Sequence, residues 1–481
     1  MPELIIGISI AALFLTLILV LVIRALLFKP KAQAESSSDR IQLDSKRAVF
    51  TLAEMIKCKT VSDVDKSKED EEEFVKFKKL LPSLFPKVYE ICTYEEPSDR
   101  SILLKWEGKN HLNPTVLMAH YDVVSVVDEQ WEKPAFSAII ENGILWGRGT
   151  IDTKATLNGI LCSANELIEE GFVPENDIYF AFGGDEEVNG HGAKDIVELF
   201  KNRGITPALV LDEGGAVVEN VFPGVKKPCA LIGTAEKGML NVEYSVTGGG
   251  GHSSSPSPHT PVGVLSSACV KMEKNPFKFR ITPPARQMFD TLARHSSFVY
   301  RLIFANMWFF SPILNLLTRF TGGELNALVR TTTAFTQMEG SKGMNVIPPI
   351  AKMVSNHRII PGETMDSVIE KIKKTVDNEK VKITKISGMN PSRVSVTESE
   401  AYERVAGAAS NTWTEAIVSP YLMLACSDSR HWGEISDKVF RFSAMALTKE
   451  ERATIHGNNE RIPIEKIAQT VEFYKHLMLN S

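Results

Sequence analysis

The chain has 481 residues, more than one ordinary hydrophobic core accommodates, so at least two globular domains are expected. Hydrophobic residues make up 43% and charged residues 23%, which is normal for a folded protein, and the net charge of −5 excludes an electrostatic case for nucleic-acid binding. The six cysteines stand singly without a C-x-x-C pair, which predicts buried thiols and not a disulfide framework or a thiolate metal site.

An uncharged run at the N-terminus, Leu4–Ile23, is long enough to cross a hydrocarbon core of about 30 Å as a helix. The alternative is a signal peptide cleaved near Ala32-Gln33-Ala34, which predicts secretion. We favour a single-pass membrane anchor, because the run exceeds a usual signal core and Arg24, Lys29 and Lys31 precede that cleavage site. These bases favour a cytoplasmic domain by the positive-inside rule, but the bias is small and both sides of the membrane stay open.

Residues 1–33 are therefore the predicted anchor with its flank, and 34–46 a polar linker. From 47 to 237, short apolar strands alternate with helices, which predicts an α/β domain with a parallel or mixed sheet covered by helices. The predicted elements are helices at Arg47–Lys57, Ala155–Glu170 and Ala193–Asn202, and strands at Ser101–Trp106, Thr115–Ala119, Ile178–Phe182 and Ala208–Leu211. Ligand sites in such sheets lie beyond the carboxyl ends of the strands.

The pattern changes at Gly238, where a second unit with the order β-α-β-β-α-β begins, typical of a ferredoxin-like α+β sheet with two helices. Its predicted elements lie at Met239–Thr247, Pro261–Lys274, Thr331–Met338, Ala351–Ile359, Met365–Val376 and Val381–Ile386. An additional segment rich in Phe, Trp and Leu, Ile281–Leu325, lies inside this stretch. We interpret 238–389 as a domain inserted into the first one, which resumes at 390–481.

Histidines and acids recur in short motifs along the first domain, most of them just past an apolar run. The motif residues are His120 and Asp122, Asp152 after a glycine-bearing turn, Glu186 and Glu187, Asp212, and His456. A central carboxylate, Asp152, with one His and one acid on either side is the ligand set that a pair of zinc-like ions requires. Each motif alone is ordinary, but their joint spacing favours a dinuclear metal site.

Two of these motifs offer more than ligands. On extended backbone His120 and Asp122 point to the same side, so Asp122 can hydrogen-bond the ring nitrogen that does not bind metal. In the pair Glu186-Glu187, one carboxylate can bind a metal while its neighbour stays free as a general base.

These motifs resemble metallopeptidase family 20, a group of di-zinc exopeptidases and amidohydrolases. The matching strings are Met118-Ala119-His120-Tyr121-Asp122-Val123-Val124, Gly147-Arg148-Gly149-Thr150-Ile151-Asp152, Gly184-Asp185-Glu186-Glu187, Asp212-Glu213-Gly214-Gly215 and Ile455-His456-Gly457. A finer likeness, to carboxypeptidase S and the N-fatty-acyl-amino-acid synthase/hydrolases, is carried by Ala235-Glu236-Lys237-Gly238, Arg330-Thr331-Thr332-Thr333, Asn345-Val346-Ile347-Pro348-Pro349 and Ser427-Asp428-Ser429-Arg430. The resemblance implies a di-zinc catalytic domain whose inserted domain acts as a lid or pairs two subunits.

The resemblance also implies the metal ligands. Asp152 would bridge two zinc ions, His120 and Asp212 would complete one site, and Glu187 and His456 would complete the other. Cobalt or manganese fits such ligands too. Many relatives have Asp-Asp or Asp-Asn where this chain has Asp152-Thr153, a departure that concerns the local, often cis, peptide and not the bridging carboxylate.

The remaining roles follow from the same resemblance. Glu186 would be the general base and Asp122 the partner of His120. His252 would stabilise the oxyanion, in some relatives from the neighbouring subunit, while Asn345 would contact substrate. Arg358 would bind the substrate's α-carboxylate, which suits the bidentate geometry of a guanidinium.

The expected function is cleavage of an amide bond next to a free C-terminal amino acid, in a small peptide or an N-acyl amino acid. Synthesis or hydrolysis of N-fatty-acyl amino acids is the alternative, and Phe298–Phe320 could line an acyl pocket, touch the membrane, or simply form lid core. A membrane-tethered binding protein without catalysis is disfavoured because the full ligand set and the base are present. A homodimer through the inserted domain is possible, unless Ile281–Leu325 covers that face within one chain.

Overall fold

The computed structural model describes residues 2–31 and 41–481. The Ala32-Gln33-Ala34 site and most of the predicted linker lie outside the described residues. The helices are α1 (Pro2–Leu27), α2 (Ser45–Ile56), α3 (Glu71–Leu84), α4 (Pro86–Ile91), α5 (Lys154–Glu169), α6 (Gly192–Arg203), α7 (Pro261–Lys274), α8 (Pro283–Ala293), α9 (Phe298–Ala305), α10 (Met307–Thr321), α11 (Gly323–Val329), α12 (Met365–Val376), α13 (Glu400–Thr412), α14 (Lys449–Arg452) and α15 (Ile464–Leu479). The strands are β1 (Thr93–Glu95), β2 (Ser101–Trp106), β3 (Asn110–His120), β4 (Ile140–Glu141), β5 (Ile144–Trp146), β6 (Asn176–Gly183), β7 (Leu209–Val218), β8 (Cys229–Glu236), β9 (Gly238–Thr247), β10 (Gly251–His252), β11 (Thr332–Glu339), β12 (Val346–Ile347), β13 (Ile350–Ile359), β14 (Lys382–Met389), β15 (Ile417–Met423), β16 (Val439–Ala446) and β17 (Arg461–Pro463).

The main sheet has eight strands in the order β1-β2-β6-β3-β7-β16-β8-β15. Its middle strands β6, β3, β7 and β16 run parallel, while β2 pairs antiparallel with β6, so the sheet is mixed, as predicted. Along β3, Leu117 and Ala119 enter the core formed with α2, α5 and α15, whereas Val116 and Met118 enter the core formed with α6. A strand buried on both faces needs apolar residues at successive positions, which explains the continuous apolar run before His120.

The second sheet is antiparallel, with the order β11-β13-β9-β14, and α7 and α12 pack on one face. Buried and half-buried residues alternate along β9, as expected for a sheet with one covered face. Its core is separate from that of the main sheet. The elements follow the predicted order β-α-β-β-α-β, and the α/β fold with an inserted α+β unit is confirmed.

The additional segment forms α8–α11. It lies in the sequence between elements of the second sheet but packs against the main sheet. Its buried residues, including Met288, Phe289, Leu292 and Phe304, belong to the core of the main sheet and not to that of the second sheet. Helix α8 packs against β15, the edge strand of the main sheet. The segment therefore covers part of the domain built on the main sheet and leaves the open face of the second sheet uncovered.

Within the described residues, α1 is the helix long and apolar enough to cross a membrane, with a mean hydropathy of 3.0 over its most apolar stretch. Most of its side chains are exposed, and its last turns pack against α9 through the buried residues Leu21 and Ala25. An N-terminal helix with these properties is either a membrane span or a signal sequence.

Candidate active site with two metal-ligand groups

The parallel strands of the main sheet bring the predicted motifs to one edge. His120 is the last residue of β3 and lies opposite Gly183, the last residue of β6. Glu186 and Glu187 follow β6 in a short 3-10 turn, three and four residues after Gly183. Because parallel strands end at the same edge, these side chains meet there, as the sequence pattern predicts.

Two groups of metal-ligand atoms share Asp152. In the first group, His120 Nε2 lies 3.1 Å from Asp152 Oδ1 and 3.5 Å from Glu213 Oε1. In the second, His456 Nε2 lies 2.9 Å from Asp152 Oδ2 and 3.1 Å from Glu187 Oε2. The two oxygens of Asp152 therefore face different histidines, which is the arrangement of a carboxylate that bridges two ions.

The first group contains Glu213, whereas Asp212, which the family resemblance implied as the ligand here, lies outside the group. The carboxylate of Asp212 accepts hydrogen bonds from Ser429 N at 2.8 Å and from Glu213 N at 2.9 Å. It is thereby turned toward the backbone, and among the described residues it belongs to neither group. Adjacent strand residues point to opposite sides, so the string Asp212-Glu213 alone did not decide which acid faces His120.

The crowding of acids indicates a site built for cations. Burial, together with the nearby Asp152, raises the pKa of Glu213 to about 8, and burial raises the pKa of Asp428 to about 7. The hydrogen bonds to Asp152 and Glu187 raise the pKa of His456 to about 10. Carboxylates and imidazoles packed this closely form the donor set that divalent zinc-like ions prefer, so the residues fit such a centre.

Asp122 lies between His120 and the turn that carries Glu186 and Glu187. Its carboxylate accepts hydrogen bonds from Ser62 Oγ at 2.7 Å, Glu186 N at 3.2 Å and Glu187 N at 3.1 Å. His120 Nδ1 lies 3.0 Å from the backbone oxygen of Asp122 and 3.4 Å from its Oδ1. Asp122 therefore links the orientation of the His120 ring to the turn that carries Glu186.

Glu186 belongs to neither group but lies beside Glu187 in the same turn. Burial raises the pKa of its carboxyl well above the usual value, and the carboxylates of Asp428, Glu213 and Glu187 add to this effect. A raised pKa lies closer to neutral pH, where a carboxylate can both accept and release a proton, and this suits a general base.

The turn that carries Asp152 is held by Glu460, a residue that sequence reasoning missed. Glu460 Oε1 accepts hydrogen bonds from Ile151 N at 2.7 Å and Asp152 N at 3.1 Å, while Oε2 accepts from Gly149 N at 3.0 Å and Arg148 Nη1 at 2.8 Å. Glu460 is fully buried and lies four residues after His456. It therefore ties the turn that carries Asp152 to the segment that carries His456. The peptide bond between Asp152 and Thr153 is cis.

Arg358 lies where the two sheets meet. It pairs in register with Met239 near the start of β9, directly after β8 of the main sheet. Its Nη1 lies 3.5 Å from Cys426 Sγ, and no carboxylate of the described residues lies within salt-bridge distance of this guanidinium. Lys237 lies nearby and is buried. Its burial and the positive charge of Arg358 lower the pKa of the Lys237 ammonium group to about 7. A half-buried cation without an acidic partner is suited to an anionic ligand.

His252 and Asn345 lie at the opposite end of the second sheet. The ten residues of β9 span about 30 Å at a strand's rise per residue, and His252 follows the far end of that strand. Ser253 N donates to the backbone oxygen of Asn345 at 2.9 Å, and His252 is exposed, with Nδ1 2.8 Å from Ser254 Oγ. The structure brings these two residues together but does not place His252 in either metal-ligand group.

The fold and the two groups that share Asp152 define a metal-dependent hydrolase of the dinuclear class. A family model described as peptidase family M20/M25/M40 matches residues 116–480. The chain belongs to this family, which confirms the resemblance found in the sequence.

Individual relatives support the same assignment. The chain is 37% identical over 438 residues to a probable carboxypeptidase S-like 2 of Dictyostelium discoideum, covering 89% of this chain and 84% of that protein. It is 36% identical over 445 residues to the N-fatty-acyl-amino acid synthase/hydrolase PM20D1 of Xenopus tropicalis, covering 91% and 86%. The solved M20 family metallo-carboxypeptidase Sso-CP2 from Sulfolobus solfataricus shares the fold, with a TM-score of 0.68 and 18% identity over 90% of this chain and 99% of that one.

Proposed function

We propose that the protein is a di-zinc hydrolase that cleaves the amide bond next to a free C-terminal amino acid. The observation that carries the proposal is the sharing of Asp152 by two His–carboxylate groups with Glu186 beside them. We assign His120, Asp152 and Glu213 to one ion, and His456, Asp152 and Glu187 to the other. Zinc suits the mixture of imidazole and carboxylate donors, and cobalt or manganese is accepted by the same set.

The residues around the groups supply the remaining chemistry. Two zinc ions bound there would lower the pKa of water and polarise a carbonyl group. Glu186 takes the proton from the attacking water and passes it to the leaving amine, while Asp122 keeps the base and His120 in position. The raised pKa of the half-buried Glu186 supports this role.

We assign recognition of the substrate's α-carboxylate to Arg358. Its guanidinium is half-buried, lies at the junction of the two sheets and has no acidic partner among the described residues. Hydrogen bonds connect this junction to Asp212, the residue next to Glu213: Ser427 N donates to Glu236 Oε2 at 2.9 Å, and Ser429 N donates to Asp212 Oδ2 at 2.8 Å. A carboxylate bound by Arg358 would therefore place the neighbouring amide near the metal groups.

His252 and Asn345 are assigned to the site of a second copy. Within one chain, most of the length of β9 separates them from the junction that carries Arg358. The open face of the second sheet, which α8–α11 do not cover, is the surface by which two copies would pair. In such a dimer each inserted unit would lend its histidine to the partner's substrate, as an oxyanion donor, and its asparagine as a contact.

We assign α1 to a membrane anchor, so that the catalytic domain is tethered by a single span. The helix is 26 residues long, and most of its side chains are exposed. A cleaved signal sequence is the alternative, and N-terminal sequencing of the mature protein separates the two, because only an anchor keeps residues 2–27.

N-fatty-acyl amino acids are a second candidate substrate class. They are favoured by the name of the Xenopus relative and by the exposed apolar side chains of α9 and α10. A panel of dipeptides, short N-acyl amino acids and long-chain N-acyl amino acids, each with a free carboxylate or its methyl ester, tests both classes. We expect hydrolysis of free carboxylates only, with chelator-sensitive turnover, and equal turnover of the methyl esters would contradict the role of Arg358.

A further inference from the structure

Helices α9 and α10 carry an apolar surface on their outer side. The side chains that form this surface, here called the α9–α10 face, are Phe298, Trp308, Ile313, Leu316, Leu317 and Phe320. Their exposed fractions range from 39% for Phe298 to 80% for Phe320. Helices on the surface of soluble proteins usually turn charged residues outward, whereas Arg319 is the single charged residue of α10. A contiguous exposed apolar surface of this kind marks an interaction site.

The α9–α10 face borders the apolar N-terminal helix α1. Asn306, between α9 and α10, donates from Nδ2 to the backbone oxygen of Leu21 at 2.9 Å. Arg24 donates from Nη2 to the backbone oxygen of Ala305 at 3.0 Å. Arg294 donates to the backbone oxygen of Lys29 at 2.9 Å. These hydrogen bonds attach the last turns of α1 to the segment that carries the exposed face.

The length of α1 places the α9–α10 face at the depth of a membrane. The free part of α1, Leu4–Val20, rises about 25 Å at the pitch of an α-helix, which is less than a hydrocarbon core of about 30 Å. The turns that follow, with Leu21 and Ala25, must then also lie within or at the edge of the bilayer. Because these turns pack on α9, α9 and α10 reach the same level.

We propose that the α9–α10 face inserts into the interfacial layer of the lipid bilayer and holds the catalytic domain against the membrane. The occupant of this face is the acyl-chain region of lipids, and a Trp at its edge suits the boundary between headgroups and hydrocarbon. The proposal rests on the assignment of α1 as an anchor and is independent of the hydrolase chemistry. The domain then has two attachments to the membrane: the span α1, and the α9–α10 face inserted into one leaflet.

Depth-dependent fluorescence quenching of the full chain in phosphatidylcholine vesicles tests this proposal. Single variants Leu316→Cys and Phe320→Cys are labelled with an environment-sensitive fluorophore, and Leu112→Cys, at an apolar position 84% exposed on the main sheet, is the matched control. Unsubstituted protein gives the background from Cys269 and Cys426, the two cysteines that are not fully buried. Flotation of the vesicles in a density gradient reports the anchor separately.

Each outcome decides the proposal. We expect spin-labelled lipids to quench the labels at positions 316 and 320 several-fold more than the label at 112, in protein that floats with the vesicles. Floating protein with equal quenching at all three positions overturns insertion and leaves the anchor intact. Cross-linking of position 316 to its equivalent in a second copy, without lipid quenching, assigns the face to a dimer and overturns it too. Protein that does not float removes both the anchor and the insertion.

Discussion

At the scale of single residues, the proposed metal ligands differ from the proposed base that lies beside them. Asp152, Glu187, Glu213, His120 and His456 offer the ligand atoms, whereas Glu186 is half-buried in the same turn as Glu187 and belongs to neither group. Substitution of a ligand is therefore expected to remove metal, whereas substitution of the base is expected to lower turnover and leave the metal bound.

Glu186→Gln removes the proton acceptor and keeps the shape of the side chain. We expect both metal ions to remain bound while turnover falls by about 10²- to 10⁴-fold, the usual contribution of general acid–base catalysis. Turnover with a dipeptide or N-acyl amino acid and metal content are measured on the same preparation. Activity near that of the unsubstituted enzyme in metal-replete Glu186→Gln would show that another group accepts the proton.

The lowered pKa of the buried Lys237 predicts that the free energy of unfolding depends on pH. Burial lowers its folded-state pKa to about 7, from 10.5 in the unfolded chain, while Nζ donates to the backbone oxygens of Ala327 and Arg330 at 3.0 Å. Between these two values the unfolded chain binds more protons, so the free energy of unfolding rises with pH, by up to about 1.4 kcal/mol per unit. This contribution is complete above about pH 10.5, is lost progressively as the pH falls, and is absent below about pH 7.

Lys237→Met removes that titration but leaves the other groups unchanged. We expect urea denaturation at a series of pH values to show the unsubstituted protein gaining stability relative to the variant between pH 7 and 10. The loss of two hydrogen bonds shifts all values equally and does not alter this slope. A difference between the two proteins that is constant over this range is the contrary result.

At the scale of elements, the sequence predicted most of the helices and strands that position the site. Helices α7 and α12 begin and end at the predicted residues, because each has a Thr N-cap followed by regular apolar spacing. Strand β8 and helices α8–α11 were not predicted as elements. The packing of α8 against β15 joins positions more than a hundred residues apart, which local spacing does not encode.

Contacts between positions far apart in the sequence also limited the prediction of the candidate site. Its motifs were found because His120, Asp152, Glu187 and His456 stand at strand ends or in glycine-bearing turns. Glu213 was missed because it neighbours another acid, and the choice depends on the hydrogen bonds of Asp212 with Ser429. Glu460 was missed because its partners, the amides of the Asp152 turn, lie about three hundred positions away in sequence.

Glu460→Gln tests how the turn that carries Asp152 is held. The amide nitrogen of Gln cannot accept the hydrogen bonds of Gly149 and Arg148, and Arg148 loses its buried counter-charge. Breaking a buried pair of this kind costs about 3–5 kcal/mol, and disturbing the support of a ligand lowers metal affinity by about 10- to 100-fold. Thermal unfolding and competitive metal titration measure the two effects.

The matched control is Glu450→Gln, because Glu450 is exposed in α14 and has no role in the turn. Its stability and metal affinity are expected to equal those of the unsubstituted protein. Unchanged metal affinity in Glu460→Gln would mean that Asp152 keeps its position without this carboxylate.

At the scale of the whole molecule, three surfaces have separate proposed tasks: the edge of the main sheet with the metal-ligand groups, the open face of the second sheet, and the α9–α10 face beside α1. We propose that the first performs the chemistry and that the third attaches the domain to lipid. The second is the proposed site of pairing, since His252 lies at the end of the second sheet away from Arg358.

Complementation between two inactive variants tests that pairing. His252→Ala and Glu186→Gln are each expected to lose most activity, whereas co-expressed chains form mixed dimers in which one intact site receives a partner's histidine. Random pairing would restore about a quarter of the original activity, because half of the dimers are mixed and each has one complete site. Absence of any recovery in dimers shown to be mixed would place His252 outside the partner's site.

One carboxylate, Asp152, is proposed to serve two metal ions, and the metal content per chain tests this proposal most directly. Elemental analysis of the purified full chain is expected to find two zinc ions, both of which Asp152→Asn loses. Glu213→Gln is expected to lose one ion and Asp212→Asn to keep both, because the Asp212 carboxylate is bound to Ser429 N and Glu213 N. Purified protein that contains no metal and keeps its activity in the presence of a chelator would contradict the account.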